Sequence, residues 1–213
     1  MDITWYGHSC FRIADRGRAT VVTDPFDESL GYEVPKLKTD IVTISHQAPG
    51  HSNLAMVKGC EHIIEGPGEY EIGGVFIIGV ATVDLKAESP RRNVVYVLDY
   101  DGLTIAHLGN LAHVPDQSMI DTLGPIDIAL VPVGGGSSLS SSQAAEVVSL
   151  LEPSIVVPMH FRTDALHEMG LDPVDRFMKE MGVNTIQEEP VLRVGGSSAL
   201  PEQTQVILLD YRH

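Results

Sequence analysis

Three short apolar runs each end in a histidine: Ile41 to Ser45 before His46, Leu103 to Ala106 before His107, and Ile155 to Met159 before His160. A fourth, His51, follows the Pro49-Gly50 turn just beyond His46. Imidazole nitrogens are good ligands for zinc, iron or copper. Singly, each of these histidines has an ordinary structural alternative. As a set they point to a metal centre, because the ends of adjacent strands converge on one rim and binding sites form there. A catalytic zinc takes three protein ligands and keeps one position open. His46, His51, His107 and His160 therefore suffice for one zinc or another divalent transition metal, if the rim brings them together.

The elements that must position these residues are mostly strands. Ile3 to Tyr6, Cys10 to Ala14 and Ala19 to Thr23 are short alternating or apolar runs separated by Gly7 and by a turn around Asp15 to Gly17. The third run ends in Thr23-Asp24-Pro25, which puts a carboxylate at a strand end; Asp24 either orients a ligand histidine or caps a turn. Residues 26 to 38 read as a loop, and Ser52 to Lys58 as a short helix capped by Ser52. His62 to Glu65, Val75 to Thr82 and Val94 to Tyr100 follow as strands, and Asp101-Gly102 closes a hairpin onto Leu103 to Ala106. Asp127 to Val133 and Ile155 to Met159 are continuous apolar strands of the kind a covered sheet requires. Helices are expected at Ser141 to Leu151 and Pro173 to Met181, with final strands at Val191 to Val194 and Gln205 to Leu209. Early strands and late strand–helix–strand passages favour two sheets in one α/β domain with helices outside. Gly134-Gly135-Gly136 lacks the Lys-Ser/Thr of a phosphate-binding P-loop.

Composition narrows the partners. With 14 basic against 29 acidic side chains the net charge is −15, which repels a polyanion, and Arg91-Arg92 is the sole basic cluster. Nucleic-acid and membrane-surface partners are not expected. No apolar run approaches the ~20 residues needed to cross a bilayer. The start lacks the order of a signal peptide, and Cys10 and Cys60 make no disulfide framework, so a cytoplasmic location is expected. Cys10 reads as core. His62, His167 and His213 have no motif around them and read as surface residues.

Beyond this point a family resemblance enters. Ser45-His46-Gln47-Ala48-Pro49-Gly50-His51 resembles the His-x-His-x-Asp-His signature of the metallo-β-lactamase superfamily. His107-Leu108-Gly109-Asn110 resembles its His-x-Gly-Asp motif, and Pro158-Met159-His160 its last ligand motif. Trp5 to Phe11, Thr23-Asp24-Pro25, Gly66 to Glu71 and Pro132 to Gly135 look most like the compact branch that includes ascorbate-6-phosphate-lactonase-like proteins. The resemblance runs from about Ile3 to Leu209 and implies one domain over residues 1–213, folded as a four-layer αββα sandwich. It also implies hydrolysis of an ester, lactone or phosphoester in a small metabolite.

In that family seven side chains hold two metals. Carried over, His46 and His107 fall on the first site and His51 and His160 on the second. Ala48 stands in place of the second signature histidine, Gly50 in place of the signature aspartate and Asn110 in place of the bridging aspartate. Two ions about 3.5–4 Å apart need anionic ligands between them, and both carboxylates are gone; at most one ion is expected. His8 and His113 match family positions near the rim, so His8, Asp24, Asn110 and His113 are candidates for substrate contact or for supporting the ligands. Asn93, Arg91 and Arg162 are weaker candidates for an anionic substrate. Two readings stay open: a hydrolase with a reduced metal site, or a catalytically degenerate relative that keeps the fold as a ligand-binding or interaction module. Homo-oligomerisation is compatible with either.

Overall fold

Period-two alternation builds the N-terminal hairpin: β1 (Asp2–Gly7) buries every second residue and pairs antiparallel with β2 (Cys10–Ala14). The computed structural model describes residues 1–84, 90–166, 170–183 and 186–211; His167 and His213 lie outside them. The chain continues through β3 (Val21–Thr23), β4 (Leu37–Lys38), β5 (Ile41–Thr43), β6 (Val57–Lys58), β7 (His62–Ile64), β8 (Gly68–Ile72), β9 (Val75–Asp84) and β10 (Arg91–Asp99). Then come β11 (Thr104–His107), helix α1 (Gln117–Leu123), β12 (Ile128–Pro132), α2 (Ser141–Leu151), β13 (Ile155–Met159), α3 (Val174–Glu180), β14 (Gln187–Glu189), β15 (Leu192–Arg193) and β16 (Gln205–Leu209).

Two mixed sheets result. One has six strands in the order β15-β1-β2-β3-β5-β7, the other eight in the order β14-β16-β13-β12-β11-β10-β9-β8. β3, β5 and β7 run parallel, as do β11, β12, β13 and β16, so in each sheet a set of strand ends faces the same way. The main core joins the inner faces of both sheets: Trp5, Phe11 and Ile41 from one meet Ile77, Val95 and Ile105 from the other. β12 and β13 are buried at all five positions because α2 and α3 cover their outer face with Val147, Val148 and Phe177. The outer face of the six-stranded sheet carries a second cluster around Val22, Phe26, Val42 and Met56. Its cover is thinner, made of 3₁₀ turns at Glu28–Leu30 and Leu54–Met56 and the loops beside them. The architecture is the expected α/β four-layer arrangement. No described helix is long and apolar enough to cross a membrane.

Local differences from expectation have local causes. Residues 52–58 form a single 3₁₀ turn and then β6, because Asn53, not Ser52, receives the Ala55 N–H, while the Ser52 hydroxyl bonds back to Ala48 O. α1, absent from the sequence expectation, is started by Asp116, whose side chain accepts from Met119 N. β8 joins β9 through Gly73-Gly74, both at positive φ (56° and 76°), a primed hairpin turn that suits the twist of the strands.

Hydrogen bonds tie the sheets near the rim. The fully buried Tyr96 of β10 directs its hydroxyl at Ile44 O (3.0 Å) and Ile64 O (3.1 Å) of the opposite sheet. Val94 N–H donates to Ser45 O at 2.9 Å. Removing the phenol hydroxyl takes the donor from a buried carbonyl, so Tyr96→Phe is expected to cost about 1–2 kcal/mol in urea unfolding with little change in m.

Candidate metal centre

Each histidine here is placed by a strand end or a tight turn. β13 delivers His160, β5 delivers Ser45 and His46, β3 delivers Asp24, and the β1–β2 turn delivers His8. Three of these residues have positive φ without being glycine: Asp24 at 40°, His8 at 50° and His160 at 52°. Such backbone costs on the order of 1–3 kcal/mol each and persists only where the surroundings over-determine it. They do so here. His8 O accepts both Trp5 Nε1–H (3.1 Å) and His160 N–H (3.0 Å), and Asp24 N–H donates to Thr43 O at 2.9 Å. Gly7, at φ 109°, lets the chain turn against Tyr32, whose ring lies 2.6 Å from where a Cβ would stand.

The protons of the site can be assigned from its hydrogen bonds. Asp24 is fully buried; burial pushes its carboxyl up, but the His51 interaction and the bonds from His51 and Ser45 outweigh this and hold it at about 2. It is therefore a carboxylate and can only accept. It receives Ser45 N–H on Oδ1 (2.7 Å), and the Ser45 hydroxyl (2.6 Å) and His51 Nδ1–H (2.7 Å) on Oδ2. With its proton given to Asp24, Ser45 Oγ must accept from His46 Nδ1, 3.0 Å away. Ser138 Oγ donates to Gly135 O (3.0 Å), so His160 Nδ1–H donates to it, across a long 3.4 Å. His46 and His160 thus each carry their proton on Nδ1 and present a bare Nε2, while His51 keeps a proton on Nδ1 for Asp24.

The rings gather closely. Centroids of His46 and His51 are 4.0 Å apart, those of His8 and His160 4.2 Å, and those of His8 and His51 4.8 Å. His8 Nε2 lies 3.2 Å from His51 Nε2. Two sets of potential ligand atoms come together within 4.8 Å: His8, His51 and His160, and Asp24, His46 and His51. Burial, then the neighbouring His51, pushes His46 down to about 4 and His160 down to about 3. Burial together with the three neighbouring imidazoles holds His8 well below the usual histidine range. These rings are neutral near pH 7, the form that ligates metals.

The residues named from sequence separate at this point. His46, His51 and His160 converge, and His8 joins them. His107 enters neither set: it is fully buried and its Nε2–H donates to Ser9 O at 2.9 Å. His113 is half-buried and enters neither set. Asn110 uses its amide on Ser137 Oγ (3.1 Å), and its backbone N–H reaches Asn93 Oδ1 at 2.8 Å. Asn93 is itself buried, its amide nitrogen on Leu108 O and Thr82 Oγ1. It is a structural clamp for the Gly109 turn. Arg162 is exposed, bridged to Pro173, and does not line the cleft described below. Ser45 and Ser138, not singled out in the sequence, fix two of the rings. The adjacency Ser45-His46 was the one available signal.

A cleft of about 870 Å³ opens against this cluster, lined by Ser45, His46, Asn93, Asn110, Arg92 and Ser137 among others. Of the clustered histidines only His46 lines it; His8, His51 and His160 lie beneath, 1–3% exposed. Replacing Asp24 with Asn keeps a residue tolerant of positive φ but removes the charge. Three donors then face an amide. The expected loss is about 2–4 kcal/mol in chemical denaturation, well above that of an exposed Asp→Asn control such as Asp121→Asn.

Comparison with known proteins agrees with this geometry. A UPF0173 protein of Pyrococcus abyssi is 30% identical over 186 residues, covering 76% of this chain and 84% of its own. A UPF0173 metal-dependent hydrolase of Thermococcus onnurineus is 28% identical over 191 residues with the same coverage. The crystal structure of a candidate Zn-dependent hydrolase of the metallo-β-lactamase superfamily from Thermotoga maritima superposes with a TM-score of 0.81 at 35% identity, covering 98% of this chain and 97% of that one. Residues 2–160 match the β-lactamase superfamily domain, and the chain belongs to that superfamily.

Proposed function

We propose that this protein is a metal-dependent hydrolase with a single-ion centre, acting on an ester, lactone or phosphoester of a small metabolite. One observation carries the reading: Asp24, Ser45 and Ser138 hold the Nδ1 atoms of His51, His46 and His160, and potential ligand atoms of His8, His51 and His160 lie within 4.8 Å of one another. The donor set fits an ion. Two nitrogens about 2.0–2.1 Å from a tetrahedral zinc stand about 3.3–3.4 Å apart, and His8 and His51 Nε2 are 3.2 Å apart. Asp24 already accepts three hydrogen bonds, so it serves as the carboxylate behind His51 rather than as a ligand. That favours His51 and His160, with His8 beside them, as the holders of the ion. None of these histidines can carry the negative charge that would offset a second cation, and the two positions that supply carboxylates to the family's two-metal sites are Gly50 and Asn110 here.

A divalent ion at such a site supplies Lewis acidity and lowers the pKa of bound water. The chain's own contribution centres on His46. It lies between the buried cluster and the cleft, with Nδ1–H held by Ser45 and Nε2 free to accept a proton from water. Asp24, one hydroxyl away through Ser45, stabilises the imidazolium that results. Ser45 and Asp24 thus orient His46 much as a carboxylate orients a general-base histidine elsewhere. Asn110 and Ser137 on the facing wall offer an amide and a hydroxyl to the substrate. The cleft is of metabolite size. Its wall carries both signs, Arg91 and Arg92 against Glu65 and Asp84, a pattern that suits a substrate with one anionic group beside the scissile bond.

Equilibrium dialysis against zinc, iron or manganese is expected to give one ion per chain, lost in His51→Ala. Protein that takes up no ion under all three conditions sinks the proposal. His46→Ala is expected to retain the ion but to lower kcat/KM on a panel of small esters, lactones and phosphoesters by about 10²–10⁴-fold. The absence of a carboxylate at positions 50 and 110 favours a second reading, a metal-holding ligand-binding module. Ligand-induced shifts in Tm without turnover across that panel would establish it instead.

A further inference from the structure

We propose that a second pocket, separate from the cleft beside His46, is an aromatic cage that binds an organic ammonium cation. It encloses about 500 Å³ and is lined by three tyrosines, Tyr6, Tyr32 and Tyr211, with Glu33, Pro35 and Ala165 beside them. It shares no lining residue with the cleft. A ligand here therefore needs neither the substrate of that cleft nor an ion in the histidine cluster.

Four separate parts of the chain build the pocket. β1 supplies Tyr6, residues 31–35 supply Tyr32 and Glu33, the loop after β13 supplies Ala165, and the segment after β16 supplies Tyr211. Gly31, at φ 82°, draws two of these parts together, since a Cβ there would stand 2.6 Å from Ala165 O. Two of the rings are held by protein contacts alone. The Tyr32 hydroxyl shares a 2.8 Å hydrogen bond with Thr163 Oγ1, and its ring lies against the Gly7 backbone. Tyr211 meets Trp5 at 5.8 Å and 84°. The Tyr32 and Tyr211 centroids are 5.0 Å apart with the rings at 82°, so the two form a corner and not a stack. Rings fixed in advance spare a ligand the cost of ordering them.

Charge selects the class of ligand. Glu33 is exposed and is the one carboxylate in the lining, and no Lys, Arg or His joins it among the described residues. The faces of aromatic rings carry the negative part of their quadrupole, and the chain as a whole carries −15. An anion is repelled by each of these features. A bare metal ion would find a single carboxylate, where hard cations take six or more oxygens. An alkylammonium head gains from the rings and from Glu33 together, the use to which cages of tyrosine and tryptophan are put.

Calorimetric titration of the whole protein with choline chloride tests the proposal, alongside the neutral isostere 3,3-dimethyl-1-butanol at matched ionic strength. Choline is expected to bind at one site with a Kd of about 1 mM or below. The neutral alcohol is expected to bind at least about tenfold more weakly. Glu33→Gln is expected to weaken choline about 2–5-fold without changing the alcohol. Tyr211→Leu is expected to weaken choline about tenfold, while Tyr211→Phe, which keeps the ring, stays within about twofold of the parent. Tyr6→Leu repeats the loss if Tyr211→Leu proves poorly folded in urea unfolding. Three results overturn the proposal: no saturable binding of choline, an alcohol that binds as tightly as choline, or parent-like choline affinity in both leucine variants. The last would place the cation elsewhere on the acidic surface. Metal content enters none of these outcomes, so they are independent of the hydrolase reading.

Discussion

The buried carboxylate of Asp24 is the constraint on which the site depends. A charge with no solvent contact is tolerated only when hydrogen bonds replace its lost hydration, and here Ser45 and His51 supply three. Those same bonds fix where the protons of two imidazoles lie. Because Asp24 cannot donate, Ser45 must turn its hydroxyl toward it and accept from His46, while His51 must keep its proton on Nδ1. The chemistry available to the rings follows from one ionised group that touches neither the cleft nor water.

The fold makes this arrangement possible by bringing the ends of parallel strands in two different sheets to one rim. Tyr96 and Val94 of the eight-stranded sheet bond to Ile44, Ile64 and Ser45 of the other, so the β5 end cannot drift from the β10 side. His160 N–H does the same for the β1–β2 turn through His8 O. Positive φ at Asp24, His8 and His160 is strain held in place by this cross-bracing. The strain sits where side chains must be aimed, and the rest of the sandwich bears it.

Compared with the superfamily signature, the chain has changed more than it has lost. Gly50 is buried against His8, Asn110 is tied to Ser137, and His107 is turned inward to Ser9. What remains is compact: three rings with little solvent contact, a fourth, His46, facing a cleft, and the Asp24 carboxylate beneath them.

The sequence by itself determined the strands, because period-two alternation and covered apolar runs report burial directly, and it determined the architecture through motifs that span most of the chain. It also located His46, His51 and His160, since each follows a strand or turn that the local residues specify. Residues 52–58 and α1 escaped it because short helical turns depend on which side chain captures a backbone N–H, Asn53 over Ser52 in one case and Asp116 in the other. Only the tertiary structure separated His107 from His8. Both end or adjoin short strands and read alike in one dimension, but the direction of a ring depends on the carbonyls and packed neighbours that other elements bring. Ser9 O turns His107 away from the cluster, and a turn at positive φ, clamped by Trp5 and His160, swings His8 into it.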